Sequence, residues 1–252
     1  MKYGLIGYPL SHSFSQRYFS EKFIKEGYEG CSYMNFPLFD ISALQSLLEQ
    51  EKDLRGFNVT IPYKEKIIPF IDEMDSVAVK AGAVNTVRVI RNGGDVYLKG
   101  YNTDVYGFSR SLEEWFISLH ADLPEKALIL GSGGASKAVA CALQDMNITT
   151  TTVSRKTGKT YEQLNAADIA AHPLIINTTP LGMLPNVSEC PDIPYQYLTE
   201  NHYLYDLVYN PPQTLFMRKG LNSGASVCNG ERMLQLQADK AWEIWSEIPK
   251  II

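Results

Sequence analysis

The chain has 252 residues, 45% of them hydrophobic and 20% charged, the balance of an ordinary globular protein with a sizeable core. A formal net charge of −5 provides no strong basic field, which excludes nucleic acid as the main partner. Cys31, Cys141, Cys190 and Cys228 lie far apart without CxxC spacing, so neither a zinc site nor a disulfide framework is expected and a reducing cytoplasm is the natural compartment.

In chain order, KYGLIGYP opens as a strand ending in a turn, its apolar stretch too short for a signal peptide. A helix follows with Phe14, Tyr18, Phe19, Phe23 and Ile24 at helical spacing, then the strand CSYMNFPL and the helix ISALQSLLEQ. GFNVTIPYKEK, residues 56 to 66, reads as a strand through Phe57, Val59 and Ile61, with Asn58 and Thr60 in the alternate phase and Lys64 at its mouth. KEKIIPFIDEM and SVAVKAG are expected to be short helical pieces. AVNTVRVIRNGGDVYLKGYNTD is a hairpin turning at its two glycines. A long helix begins near residue 105, where a domain change is expected. Strand, Gly-rich turn, helix and strand follow in KALILGSGGASKAVACALQDMNITTTTVSR. PLIINTTPLG and YLYDLVYNPP add strands, and ERMLQLQADKAWEIW closes as an amphipathic helix. This alternation predicts two α/β domains with parallel sheets. No apolar run is long enough to span a bilayer, so no membrane partner is expected.

The Gly-rich turn carries the first chemistry. Gly131, Ser132, Gly133, Gly134 and Ala135 follow a strand and open a helix, with Ser136 at the third fingerprint position. Such a turn lets backbone N–H groups approach a pyrophosphate at the helix N-terminus. The acidic residue that would bind an NAD ribose, expected about 20 residues on, is absent. Ser154, Arg155, Lys156 and Lys159 stand there instead, and cations suit the 2′-phosphate of NADP.

Polar residues gather at strand ends in the first half. Ser13 and Ser15 suit a helix cap, Asn85 and Thr86 a turn, Asp104 an N-cap, and Lys64 a solvated surface. Together they instead suit a compact polyhydroxylated acid bound outside the carboxyl ends of a sheet. Lys64 is expected near a helix start, where the dipole disfavours its charge while Asp104 would favour it, a balance suited to proton transfer.

The ordered motifs resemble the shikimate dehydrogenase family. They are SxS (Ser13–Ser15), NVTxPxK (Asn58–Lys64), GAVNT (Gly82–Thr86), NTD (Asn102–Asp104), GxGGA (Gly131–Ala135), YDxxY (Tyr205–Tyr209) and MLxxQA (Met233–Ala238). The resemblance covers nearly the whole chain. It implies an N-terminal α/β substrate domain over 1–104, completed by C-terminal helices over 231–252, and a Rossmann-like NADP domain over 105–230. The implied reaction is reversible NADPH-dependent reduction of 3-dehydroshikimate, by a monomer or homodimer. Ser13 and Ser15 would hold the substrate carboxylate, and Thr60, Asn85, Asp104 and Gln237 its hydroxyls. Lys64 and Asp104 would manage the proton on the reacting oxygen, and Tyr209 would line the pocket. Leu207 and Gly230 match positions flanking the nicotinamide. Arg232 stands where the family commonly has glycine. A broader quinate/shikimate enzyme and a non-catalytic NADP-binding module are the rivals, and the intact Lys64 and Asp104 speak against the second.

Overall fold

The computed structural model describes residues 1–10, 14–155 and 158–247, in two units. The first comprises Met1–Thr103 and Ala238–Ile252. Its elements are β1 (Lys2–Gly7), α1 (Phe14–Lys25), β2 (Ser32–Pro37), α2 (Leu44–Gln50), β3 (Leu54–Val59), β4 (Glu73–Met74), α3 (Ser76–Ala81), β5 (Thr86–Asn92) and β6 (Asp95–Tyr101). The sheet order is β2-β1-β3-β5-β6-β4.

This sheet is mixed, not parallel as expected. β1 runs parallel to β2 and β3, whereas β5 is antiparallel to both β3 and β6. The two-glycine turn after β5 forces an antiparallel β6. The segment between β3 and β5 runs back along the far edge of the sheet, where β4 pairs parallel to β6 with Glu73 opposite Lys99, and then returns through α3 to the carboxyl end of β3. The chain enters β5 from that end, where the Val84 N–H donates to the Lys64 carbonyl at 2.8 Å and the Val59 N–H to the Asn85 carbonyl at 2.8 Å. KEKIIPFIDEM also differs from expectation, forming only a 3-10 turn at Ile68–Phe70 before β4. Pro69 within it has no N–H to give an α-helix. Ile61, expected in the strand's apolar phase, lies beyond β3 and is exposed.

One face of the sheet buries Phe57, Val59, Val87 and Leu98 with Leu44 and Leu48 of α2. The other packs Tyr3, Phe19, Phe23 and Tyr33 against Trp242 and Trp245 near the C-terminus. Each large side chain so buried contributes roughly 1.5–3 kcal/mol. The Trp245 indole also donates to the Val87 carbonyl at 2.9 Å, fixing the C-terminal segment to β5.

The second unit is Asp104–Gln237. Its elements are α4 (Thr103–Ser118), β7 (Lys126–Leu130), α5 (Gly134–Asp145), β8 (Thr149–Val153), α6 (Ala166–Ala171), β9 (Leu174–Asn177), β10 (Tyr203–Asp206), α7 (Leu215–Asn222), β11 (Ser226–Asn229) and the first part of α8 (Glu231–Ser246), whose remainder belongs to the first unit. All five strands are parallel, in the order β11-β10-β9-β7-β8. Pairing aligns Leu130, Asn177, Asp206 and Asn229, so their loops leave at one edge of the sheet. The sheet core includes Leu128, Leu130, Val153, Ile175, Leu204 and Phe216. The chain passes between the units after Thr103 and again inside α8, after Gln237.

Candidate active site

In the first unit, strand register builds a buried polar chain. Asn58 of β3 lies opposite Thr86 of β5, and Asn58 Nδ2 donates to Thr86 Oγ1 at 3.0 Å. Asn58 Oδ1 accepts from the Tyr33 hydroxyl at 2.8 Å. Thr86 Oγ1 donates to Asn85 Oδ1 at 3.1 Å, and Asn85 Oδ1 accepts the Thr103 N–H at 2.7 Å. Asn85 Nδ2 donates to Thr103 Oγ1 at 3.0 Å. Burial pushes the Tyr33 phenol far up from its ordinary value, and a hydrogen bond with Ser15 opposes that rise. A neutral phenol is therefore the donor at the head of this chain. One network thus runs from Ser15, in the first turn of α1, to Thr103 beside Asp104.

Several expected substrate residues sit on or beside it. Ser15 and Asn85 belong to the network itself. Thr60 follows β3, with its N–H bonded to the Ile6 carbonyl at 2.9 Å, which places it beside the end of β1. Lys64 is half-buried, in a turn held by the Tyr63 carbonyl accepting the Ile67 N–H at 2.9 Å. No helix begins at Lys64, so the expected helix-dipole effect on it does not arise. Its backbone carbonyl instead ties it to Val84 in the GAVNT segment. Ser13 lies outside the described residues.

Asp104, Tyr209 and Gln237 belong to the second unit. Asp104 is buried in the first turn of α4 rather than at its N-cap, where the helix dipole favours a carboxylate. One turn later, a Cβ on Gly107 would lie 2.9 Å from Gln237 Cβ, so α4 and the start of α8 are in close contact. Gln237 is buried and donates through Nε2 to the Leu234 carbonyl at 2.9 Å. Arg232, in place of the family's usual glycine, grips both carboxylate oxygens of Glu114, at 2.6 and 3.1 Å. This bond holds the Glu114 carboxyl below the usual range. Tyr209 is half-buried after β10.

The other expected group lies at the carboxyl edge of the second sheet. Gly131 has φ +117, and a Cβ there would meet Thr178 Oγ1 at 2.6 Å. Only glycine makes this turn so close to the β9 loop. Gly133 caps α5, and Gly134 and Ala135 begin it, presenting N-terminal N–H groups. Ser136, at the third fingerprint position, donates its hydroxyl back to the Gly131 carbonyl at 2.8 Å. Ser132 lies in the loop between β7 and α5. A pyrophosphate fits this turn and helix start.

After β8, Ser154 is buried and its N–H donates to the Lys159 carbonyl at 2.9 Å. Arg155 is exposed, and its charge opposes the burial-driven rise of the Tyr161 phenol. Lys159 is ion-paired with Asp168 and holds that carboxyl below its ordinary value. The absence of a carboxylate inferred from nearby sequence therefore does not extend to the folded loop. Lys156 lies outside the described residues. Leu207 follows β10, and a Cβ on Gly230 would fall 2.2 Å from the Leu207 carbonyl oxygen, so these two expected nicotinamide neighbours touch.

Three residues carry more of this site than the sequence suggested. Tyr33 is marked only by the alternation of SYMNFP, which turns it inward. Asn177 and Asp206 end neighbouring strands and are joined by a 2.9 Å hydrogen bond. Burial pushes the Asp206 carboxyl up to about 6, against the hydrogen bonds from Thr214, Val208 and Asn177.

The family model for the shikimate dehydrogenase substrate binding domain matches residues 5–87. A shikimate dehydrogenase (NADP(+)) from Clostridium beijerinckii is 38% identical, over 97% of this chain and 92% of that relative. The chain belongs to the shikimate dehydrogenase family. Among solved members, the shikimate 5-dehydrogenase of Thermus thermophilus in complex with NADP(H) and shikimate is 29% identical. It superposes with a TM-score of 0.83, covering 98% of this chain and 94% of that one. The quinate dehydrogenase of Corynebacterium glutamicum in complex with NAD gives 0.85 at 26% identity, covering 98% and 94%. The family's two-domain architecture, a substrate domain and a Rossmann-like NADP domain, is the α/β fold described above.

Proposed function

We propose that the two groups of residues above divide the work of one reaction. This chain is an NADP-dependent oxidoreductase that interconverts shikimate and 3-dehydroshikimate, a step of aromatic biosynthesis. When bound, NADPH supplies the hydride. Ser13 and Ser15 hold the substrate carboxylate, and Thr60, Asn85 and Gln237 orient its hydroxyls. Lys64 donates a proton to the carbonyl oxygen as that carbon is reduced, and in the reverse direction takes the hydroxyl proton. Asp104 shares with Lys64 the management of that proton. Tyr209 lines the pocket. Gly131–Ala135 hold the pyrophosphate, Arg155 and the loop through Lys156 and Lys159 the 2′-phosphate, and Leu207 and Gly230 flank the nicotinamide.

The observation that carries this reading is the hydrogen-bonded chain from Ser15 to Thr103. Asn58, Asn85, Thr86 and Thr103 are nearly inaccessible to solvent, yet each has specific partners. Burying so many polar groups is costly unless they are mutually satisfied, and it yields a rigid polar floor. Rigid donors and acceptors at strand ends suit a small polyhydroxylated acid far better than an apolar ligand.

Among the described residues, no helix is long and apolar enough to cross a membrane, and we place the enzyme in the cytoplasm. The test is NADPH formation by purified protein supplied with shikimate and NADP. Parallel assays with quinate and with NAD define its range. Absence of turnover with shikimate while NADPH still binds would favour a binding module.

A further inference from the structure

Asp206 has no part in the chemistry above, yet it is fully buried at the end of a central strand of the NADP-type sheet. It accepts three hydrogen bonds from three different segments. Asn177 Nδ2 and the Val208 N–H reach Oδ1 at 2.9 and 3.0 Å, and Thr214 Oγ1 reaches Oδ2 at 2.5 Å. Thr214 in turn caps α7, accepting the Met217 N–H at 3.3 Å.

Two of these partners, Asn177 and Val208, lead toward the cofactor edge. Asn177 Oδ1 accepts both the N–H and the hydroxyl of Thr179, at 3.0 and 2.6 Å. Thr178 is bound through its N–H and hydroxyl to the Leu130 carbonyl, at 3.0 and 2.7 Å. Together Thr178 and Thr179 form the wall against which Gly131 turns, with a Gly131 Cβ position 3.1 Å from Thr179 Cγ2. On the other side, the Val208 N–H bond fixes the chain just after Leu207, whose carbonyl packs against Gly230.

We propose that Asp206 is the positioning residue of the cofactor site, setting the phosphate turn through Asn177 and Thr179 and the nicotinamide-flanking pair through Val208. This rests on the placement of NADP at Gly131–Ala135 and Leu207/Gly230 made above. Asp206 touches no reacting atom. It holds loops from β9 and β10 in mutual register, so its loss should loosen cofactor binding at both ends while the first unit keeps its own network.

The experiment is fluorescence titration with NADPH, alongside KM for shikimate at saturating NADP and a thermal melt. Asp206→Ala, which removes every acceptor, should raise the NADPH Kd at least about tenfold and change the shikimate KM less than about twofold. Asp206→Asn should recover Kd to within about threefold of wild type. Its Oδ1 can still accept from Asn177 and Val208, while its Nδ2 donates to Thr214. Thr179→Val gives a second reading should the Ala variant fail to fold. It keeps shape, removes one hydroxyl and should raise Kd by about fivefold. Arg155→Ala serves as the control for cofactor placement. If it weakens NADPH binding while Asp206→Ala and Thr179→Val leave Kd unchanged, whatever their melting temperatures, the positioning role is overturned. An Asn variant as weak as the Ala variant would also overturn it, since the acceptor geometry would not be what matters. An Arg155→Ala variant with unchanged NADPH binding would overturn the placement on which the proposal rests.

Discussion

Replacing Tyr33 by Phe isolates one bond of the buried network. The ring is stacked on Phe19 with centroids 4.6 Å apart and 14° between planes, and phenylalanine keeps that packing. Only the hydroxyl is lost, and with it the 2.8 Å donor to Asn58 Oδ1. Asn58 is only 5% exposed, so water cannot readily take the place of that donor. An unsatisfied buried acceptor costs about 1–3 kcal/mol, which lowers the melting midpoint by about 2–4 °C per kcal/mol in a chain of this size. The same hydroxyl is a partner of Ser15, so the serine should hold its ligand less firmly. The KM for shikimate should rise about two- to tenfold, with that for NADP unchanged. Thermal melts and steady-state kinetics on the variant measure both effects. Tyr63→Phe is the control. It also removes a hydroxyl bond, to the Leu38 carbonyl at 2.7 Å, but has no connection to Ser15. A stable Tyr33→Phe enzyme with an unchanged shikimate KM, or an equal KM rise in Tyr63→Phe, would refute the link between network and substrate.

Lys64→Ala should fold, by circular dichroism, and lose about 10²–10⁴-fold in kcat, the usual effect of removing an acid/base group. Near-normal turnover would remove Lys64 from the mechanism. Arg155→Ala should cut kcat/KM with NADP by about 10–100-fold and barely affect NAD, consistent with loss of one charge-assisted bond. Lys159→Ala should discriminate less, because Asp168 already neutralises that ammonium. The ratio of the two cofactor efficiencies in each variant decides both statements. The Asp206 carboxyl, raised from 3.8 to about 6, favours its protonated form in the fold, so its contribution to stability should fall as pH rises through that interval. The full change amounts to about 3 kcal/mol. Urea titrations between pH 4 and 7 should show this loss in wild type and not in Asp206→Asn, and parallel pH profiles would refute it.

The local chemistry of this protein was legible in its sequence. The Gly-rich turn could be placed between a strand and a helix because GSGGAS breaks an apolar run and starts a helical period, and α5 begins at Gly134. The polar residues at Ser15, Asn58, Asn85, Thr86 and Asp104 were conspicuous because they interrupt apolar patterns. Their connection was not legible. Asn58 meets Thr86 only because β5 pairs antiparallel to β3, and Tyr33 joins them from β2 across the intervening β1. α6, α7 and β11 escaped notice because they are short, and their burial depends on neighbours distant in sequence. Likewise Lys159 looked like one of several available cations until the fold brought Asp168 to it, and Asp206 was a letter in a motif until three segments converged on its oxygens. Sequence determines which groups can bond and which stretches must be buried, since propensity and periodicity are local properties. Register and loop packing decide which of those groups meet, because a buried donor finds its acceptor only when non-local strands have taken their places.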